Sequence, residues 1–230
     1  MNTDGTGGLF SMLGDTGILT ILIIVVIVVL ALITFVYVSN YLKRRGESYR
    51  RIKAMANIDE LTHLYKRKFF YTLFDAELDR AKRYGRDLSC AIIEIDNFNE
   101  LLEKYGEQFC DLVVQDIGEI FTDDTRIHDI CARYDEYSFA SLMPESSLEP
   151  AKHVCKRLRG SVERTNFVIE ETDEEVNVTV SVGLISCKEH LRDDIDTDTI
   201  LEMANEALKI AQEEGGNRVE CYTASNNDPL

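Results

Sequence analysis

Hydrophobic and polar positions divide this chain into one long uncharged run and a later alternation of helix-like and strand-like patterns. Ile18 to Val38 holds 21 residues dominated by Ile, Leu and Val, without a single charge. At helical rise such a run spans about 31 Å, the thickness of a hydrocarbon core. A transmembrane helix is therefore expected over 18–39. A removed signal peptide would have a shorter apolar run, a positive region before it and small residues at a cleavage site, and none of these is present.

Past residue 56 the period changes. Phe70, Leu73, Phe74, Leu78 and Ala81 recur at helical spacing, and Gly85 ends the run. Leu88 to Ile95 is a continuous apolar stretch of strand length, as for a strand covered on both faces. Phe109, Leu112, Val113, Ile117 and Ile120 mark a second helix, followed by two strand-like segments around 128–134 and 137–143, close enough for a hairpin. Ser146 and Glu149 read as a capping box before a helix bearing Ala151, Val154, Cys155, Leu158 and Val162. Val176, Val178, Val180 and Val182 alternate with polar residues, which predicts a strand with one buried face. Ile200, Ala204, Ala207, Leu208 and Ala211 predict a last helix that stops at Gly215-Gly216, and Arg218 to Tyr222 a closing strand. This order predicts an α/β domain of one sheet and its helices, without internal repeats.

Charge sharpens the division. Lys43, Arg44, Arg45, Arg50, Arg51 and Lys53 follow the apolar run, whereas Asp4 and Asp15 precede it. That asymmetry predicts an inner-membrane protein with its N-terminus outside and its C-terminal domain in the cytoplasm. The tail contributes −2 and the basic stretch +5 to a net −16, so residues 57–230 carry −19. So acidic a domain repels nucleic acid and anionic lipid. The resulting division is an outer tail 1–17, the helix 18–39, a basic stalk 40–56, the domain 57–224 and a tail 225–230. The acidic tracts Glu170 to Glu175 and Arg192 to Asp198 read as solvated loops. Six cysteines lack C-x-x-C or zinc spacing and read as small buried apolar residues. His63, His128, His153 and His190 lack the pairing of metal ligands.

Several short motifs recur in a telling order. Asp59-Glu60-Leu61-Thr62-His63-Leu64-Tyr65-Lys66-Arg67 resembles a D-x-L-T-x-L-x-N-R signature, and Glu94-Ile95-Asp96-Asn97-Phe98 resembles D-x-D-x-F. Arg133-Tyr134 and Phe139 stand at the spacing of R-x-G-G-D-E-F. Ser181-Val182-Gly183 and Gly215-Gly216-Asn217-Arg218 complete the series, with Gly216 where arginine is usual. Together, from Ala56 to Thr223, they resemble the GGDEF domain of diguanylate cyclases. The resemblance implies a palm-like βαββαβ fold, related to that of polymerases and nucleotidyl cyclases. For an active member it also implies two facing subunits that join two GTP molecules with Mg²⁺.

The departures from the family pattern bear on that chemistry. The first aspartate position is Glu94, whose extra methylene displaces the carboxylate by about an ångström. The five signature residues are Asp135-Glu136-Tyr137-Ser138-Phe139. Asp135 and Glu136 add negative charge where glycines would let a triphosphate approach. Tyr137 and Ser138 replace the two acids, and neither is a carboxylate ligand for a hard cation. The resemblance places the guanine-reading asparagine at Leu102 and a phosphate-contacting lysine at Gln212, while Asp111 keeps an acid of the same pocket. Glu94, Asp96, Phe98 and Asp111 therefore read as a vestigial nucleotide and metal pocket. No catalytic or metal-ligating residue is assigned, and no cofactor is expected, with Mg²⁺ only for residual activity.

One feature of the family is retained. Arg126-Ile127-His128-Asp129 stands five residues before the signature, where the resemblance implies an R-x-x-D site for cyclic di-GMP. A guanidinium fork can grip a guanine edge or a phosphate, and a carboxylate accepts guanine N–H groups. The expectation is a membrane-anchored, inactive GGDEF-domain protein that binds cyclic di-GMP through Arg126 and Asp129 or pairs with other GGDEF or signalling proteins. A divergent active cyclase and a nucleotide-independent interaction module are the alternatives, and a homo-oligomer is left open.

Overall fold

The computed structural model describes residues 57–169, 172–190 and 195–223. The expected outer tail, transmembrane helix 18–39, basic stalk 40–56 and tail 225–230 lie outside them. Among the described residues no helix is long and apolar enough to cross a membrane.

Periodicity in the central strand organises everything around it. Strand β2 (Leu88–Ile95) is buried along almost its whole length. Its Ala91, Ile93 and Ile95 enter one apolar cluster with helices α2 (Phe98–Asp124) and α3 (Leu148–Arg164). Leu88, Cys90 and Ile92 enter a second cluster with α1 (Arg67–Tyr84) and α4 (Thr197–Glu213). Successive side chains of a strand point to opposite faces, so the continuous apolar run predicted a strand sandwiched between two helical layers.

Six strands form the main sheet. In spatial order they are β1 (Tyr65–Lys66), β3 (Ile130–Arg133), β4 (Ser138–Pro144), β2, β7 (Val180–Ser186) and β8 (Val219–Cys221). The pairs β1–β3 and β7–β8 are parallel and the rest antiparallel. A separate two-stranded sheet joins β5 (Phe167–Ile169) to β6 (Glu174–Val176). The stretch from β2 to β7 contains the βαββαβ order expected from the sequence. Helix α1 ends as predicted, with Gly85 left-handed at φ 62° and its N–H bonded to the Ala81 carbonyl.

Several local expectations are corrected. The Ser146–Glu149 capping box does not form: Ser147 caps α3, with no side-chain cap bond. Ser146 is buried instead, because its carbonyl accepts the Ser89 hydroxyl of β2 at 2.8 Å. The Val176–Val182 alternation is not one strand with one buried face. Val176 closes β6, and β7 begins only at Val180 and is buried on both faces. The second face is covered because α4 packs against Gly183, where any Cβ would collide with the Ala204 carbonyl and the Leu208 amide. The acidic tracts are only partly loops. Glu174 and Glu175 extend an exposed edge of β6, and Asp196 caps α4 by accepting the Thr199 amide at 2.9 Å. Helix α2 is longer than its apolar stripe suggested and is broken at Gly106, with φ 83° and ψ 173°.

Candidate functional site

Glu94 and Asp96 lie two residues apart at the exit of β2, so both project toward the α4 side. Asn97 then turns the chain through φ 53° into α2, which opens on Phe98. The hairpin between β3 and β4 closes over this exit. Its Tyr134 and Asp135 amides both donate to the Ser138 carbonyl, at 2.8 and 3.1 Å, and the Ile95 amide donates to the Tyr137 carbonyl at 3.2 Å.

Asp135, Glu136 and Tyr137 all keep negative φ. The missing glycines therefore create no backbone conflict here. What changes is the chemistry of the side chains. Tyr137 stacks on Phe98 with ring centroids 4.8 Å apart and planes 17° from parallel, an offset geometry aromatic pairs favour. Ser138 is buried beside Glu94 in the β2–β4 register. Asp135 turns toward Arg67 at 3.8 Å, and the Arg67 guanidinium lies 4.3 Å over the Tyr134 ring. Local pattern in the sequence gives no sign of this role for Arg67. Its partner is 68 residues away, and only the parallel β1–β3 pairing brings the two together.

The two strand-end acids are already occupied. Asp96 accepts the Thr179 hydroxyl at 2.7 Å, the Ser181 hydroxyl at 2.6 Å and the Asn217 amide at 2.9 Å. Gly216, at φ 71°, lets the chain pass so close that a Cβ would sit 3.1 Å from the Asp96 carboxylate. Asn217 is held in turn by Glu163 at 2.7 Å and by Arg159. Glu94 accepts the Gln212 side-chain amide at 2.8 Å.

Glu94, Asp96, Phe98, Tyr137 and Gln212 share one cavity of about 470 Å³. Asp111 lies exposed on α2 beyond the Gly106 break and is not among the residues that line this cavity. Leu102 is half-buried against the α2–α3 core. An active family member would hold Mg²⁺ on oxygen ligands. One carboxylate with three protein donors, one with an amide, a tyrosine and a buried serine form a donor set that does not fit such an ion. Among the described residues no three His, Cys, Asp or Glu side chains are grouped to hold a metal.

Arg126 and Asp129 sit elsewhere, in the loop from α2 to β3. Asp129 accepts the Arg126 amide at 2.9 Å and returns its own amide to the Arg126 carbonyl at 2.9 Å. The carboxylate thus holds the turn, while the exposed Arg126 guanidinium makes no hydrogen bond or ion pair among the described residues. Both residues line a second cavity of about 460 Å³, together with His63, Tyr65 and Ile127. His128 is exposed and His153 bonds the Glu149 carbonyl at 2.8 Å.

A mixed sheet with helices on both faces and acids at the exit of its central strand defines a palm-like α/β domain. Residues 56–218 match the model of the diguanylate cyclase GGDEF domain, and the chain belongs to the GGDEF family. It is 32% identical over 168 residues to diguanylate cyclase DosC of Escherichia coli K12, covering 73% of this chain and 35% of DosC. The chain thus spans about a third of that relative. Its fold resembles the GGDEF domain of DgcB from Caulobacter crescentus, solved with c-di-GMP, at TM-score 0.69 and 24% identity, covering 74% of this chain and 94% of that one. Diguanylate cyclase SiaD of Pseudomonas aeruginosa, solved with its activator SiaC, matches at TM-score 0.79 and 23% identity, covering 93% and 80% of the two chains. At these identities the structural likenesses establish the fold alone.

Proposed function

We propose that this chain is a GGDEF-domain protein of cyclic di-GMP signalling that lacks cyclase chemistry and acts as a receptor for cyclic di-GMP. The observation that carries the reading is the second cavity, lined by the Asp129 carboxylate and by an Arg126 guanidinium that has no partner among the described residues. Arginine offers a bidentate fork to phosphate or to a guanine O6/N7 edge. Asp129 uses one carboxylate oxygen on the Arg126 amide and keeps the other for a guanine N–H. The 18–39 helix would hold this receptor at the inner membrane with its domain in the cytoplasm, where it would also meet other GGDEF or signalling proteins. Titration calorimetry of the full chain with cyclic di-GMP tests the reading. Saturable heat that Arg126→Ala abolishes is expected, and no heat, or equal heat from both proteins, would overturn it.

A divergent active cyclase is the second reading. It is favoured by the identity to a diguanylate cyclase and by the 470 Å³ cavity that keeps both Glu94 and Asp96. Against it stand the ring of Tyr137 over Phe98 and the protein donors already filling Asp96.

A further inference from the structure

The Arg126–Asp129 cavity is also lined by a distant segment, Ile58 and His63 to Tyr65, in which His63 carries a titratable, hydrogen-bonding imidazole ring. Its backbone is left-handed, at φ 57°, a conformation that a non-glycine residue adopts only when its surroundings enforce it. The His63 amide donates to the Asp59 carbonyl at 3.0 Å, and the Asp59 carboxylate accepts both the Thr62 amide and the Thr62 hydroxyl at 3.0 Å. Arg133 of β3 reaches the same carboxylate at 3.4 Å.

Thr62 is buried, and α2 approaches it so closely at Gly118 that a Cβ there would meet the Thr62 carbonyl at 2.7 Å. The turn is therefore clamped from its own residues, from β3 and from α2. It carries His63 to the wall of the cavity that the α2–β3 loop also lines. The imidazole has no hydrogen-bond partner or ion pair among the described residues. Ile127 adds a 94% exposed apolar side chain at the same cavity.

We infer that His63 is a third ligand-contacting residue of this site, donating a ring N–H to a phosphate of a bound nucleotide whose guanine edge is gripped by Arg126 and Asp129. An imidazole carries at least one N–H donor in either protonation state, so the contact needs no charge on the ring. Ile127 supplies the apolar shelf on which a purine would rest. The inference rests on the receptor reading above and adds to it a residue that the R-x-x-D spacing does not contain.

The test uses the full chain with cyclic di-GMP as probe, by calorimetry and by ligand-induced thermal shift. His63→Asn tolerates the left-handed backbone and removes the imidazole, and His63→Gly relieves the backbone altogether. Both variants are expected to keep the ligand-free melting temperature of the wild type; His63→Gly is expected to bind about tenfold more weakly, the loss of one hydrogen bond to a charged group, and His63→Asn, whose amide still donates, to lose less affinity. If wild type binds and His63→Gly binds equally well, the role of His63 is overturned while the receptor reading stands. If wild type shows no binding that depends on Arg126, the receptor reading fails and this inference with it. If only the ligand-free melting temperature falls, with affinity unchanged, His63 is a turn residue and the inference is overturned.

Discussion

Gln212 of the last helix donates its side-chain amide to Glu94 of the central strand at 2.8 Å. The position where the family resemblance expects a phosphate-contacting cation is thus occupied by a neutral group, and that group is turned inward onto an acid. Among the described residues no cation lines this cavity, and the hairpin above it carries Glu136 and an Asp135 paired with Arg67. A triphosphate in the cavity would meet Glu94 and Asp96 with no lining cation to offset them.

The expected consequence is that the chain makes no cyclic di-GMP from GTP with Mg²⁺ or Mn²⁺. Gln212→Lys alone is expected to leave it inactive, because Tyr137 and Ser138 still supply no carboxylate. Loss of a single transition-state contact costs about 100-fold to 1000-fold in rate, and several are absent together. Chromatographic detection of product decides the matter, and steady turnover that disappears in Glu94→Ala would refute the inactive reading.

Gly183 sits where α4 crosses β7 so closely that an added Cβ strikes the Ala204 carbonyl and the Leu208 amide. Both partners are backbone inside a helix and have no freedom to move aside. Gly183→Ala is expected to destabilise the domain by roughly 3 kcal/mol or more. A melting curve should register a fall of about 6–12 °C for a domain of this size. An unchanged midpoint would show that the helix can withdraw from the sheet without penalty.

Burial pushes the Asp59 carboxyl up, but the Thr62 amide and hydroxyl and the Arg133 guanidinium outweigh it and hold the group below its ordinary 3.8. A depressed folded value favours the folded state at pH above 3.8, and that contribution is lost as the pH falls below 3.8 through the folded value. Urea midpoints followed from neutral pH into this acid range should therefore drop more steeply for wild type than for Asp59→Asn. Parallel curves for the two proteins would remove Asp59 from the account of acid stability.

Thiol accessibility offers an independent check of the packing. Cys90, Cys110, Cys131, Cys155 and Cys187 are buried, and Cys221 is half-buried. Burial pushes the Cys131 thiol up to about 11 and that of Cys187 up to about 12, far from a reactive thiolate at neutral pH. A thiol reagent added to the native protein should label Cys221 first and the other five only on unfolding, as mass spectrometry of the labelled peptides would show. Fast native labelling of Cys90 or Cys155 would contradict the two-layer core.

Local pattern was enough for the elements whose cause is local. The β2 run, the α1 stripe with its glycine stop and the β3–β4 hairpin could all be read directly, because burial on a strand or one face of a helix repeats with the element's own period. Where a partner is distant, the local signal misled. Ser146 looked like a cap, yet its carbonyl is taken by Ser89 of β2, and the valine alternation hid both a strand break after Val176 and the burial of the second face of β7 under α4.

The sequence by itself determined the family, through ordered motifs, and the residue types that stand at the strand ends and in the R-x-x-D loop. Tertiary structure decided how those residues are used. It gave Asp96 three internal donors, stacked Tyr137 on Phe98, set Asp111 exposed beyond a helix break, and put His63 on the cavity that Arg126 and Asp129 line. The physical reason is common to all four. Spacing along a chain fixes which face of an element a side chain occupies, but hydrogen bonds and cavities form between elements, and their geometry exists only once the sheet and its helices have packed.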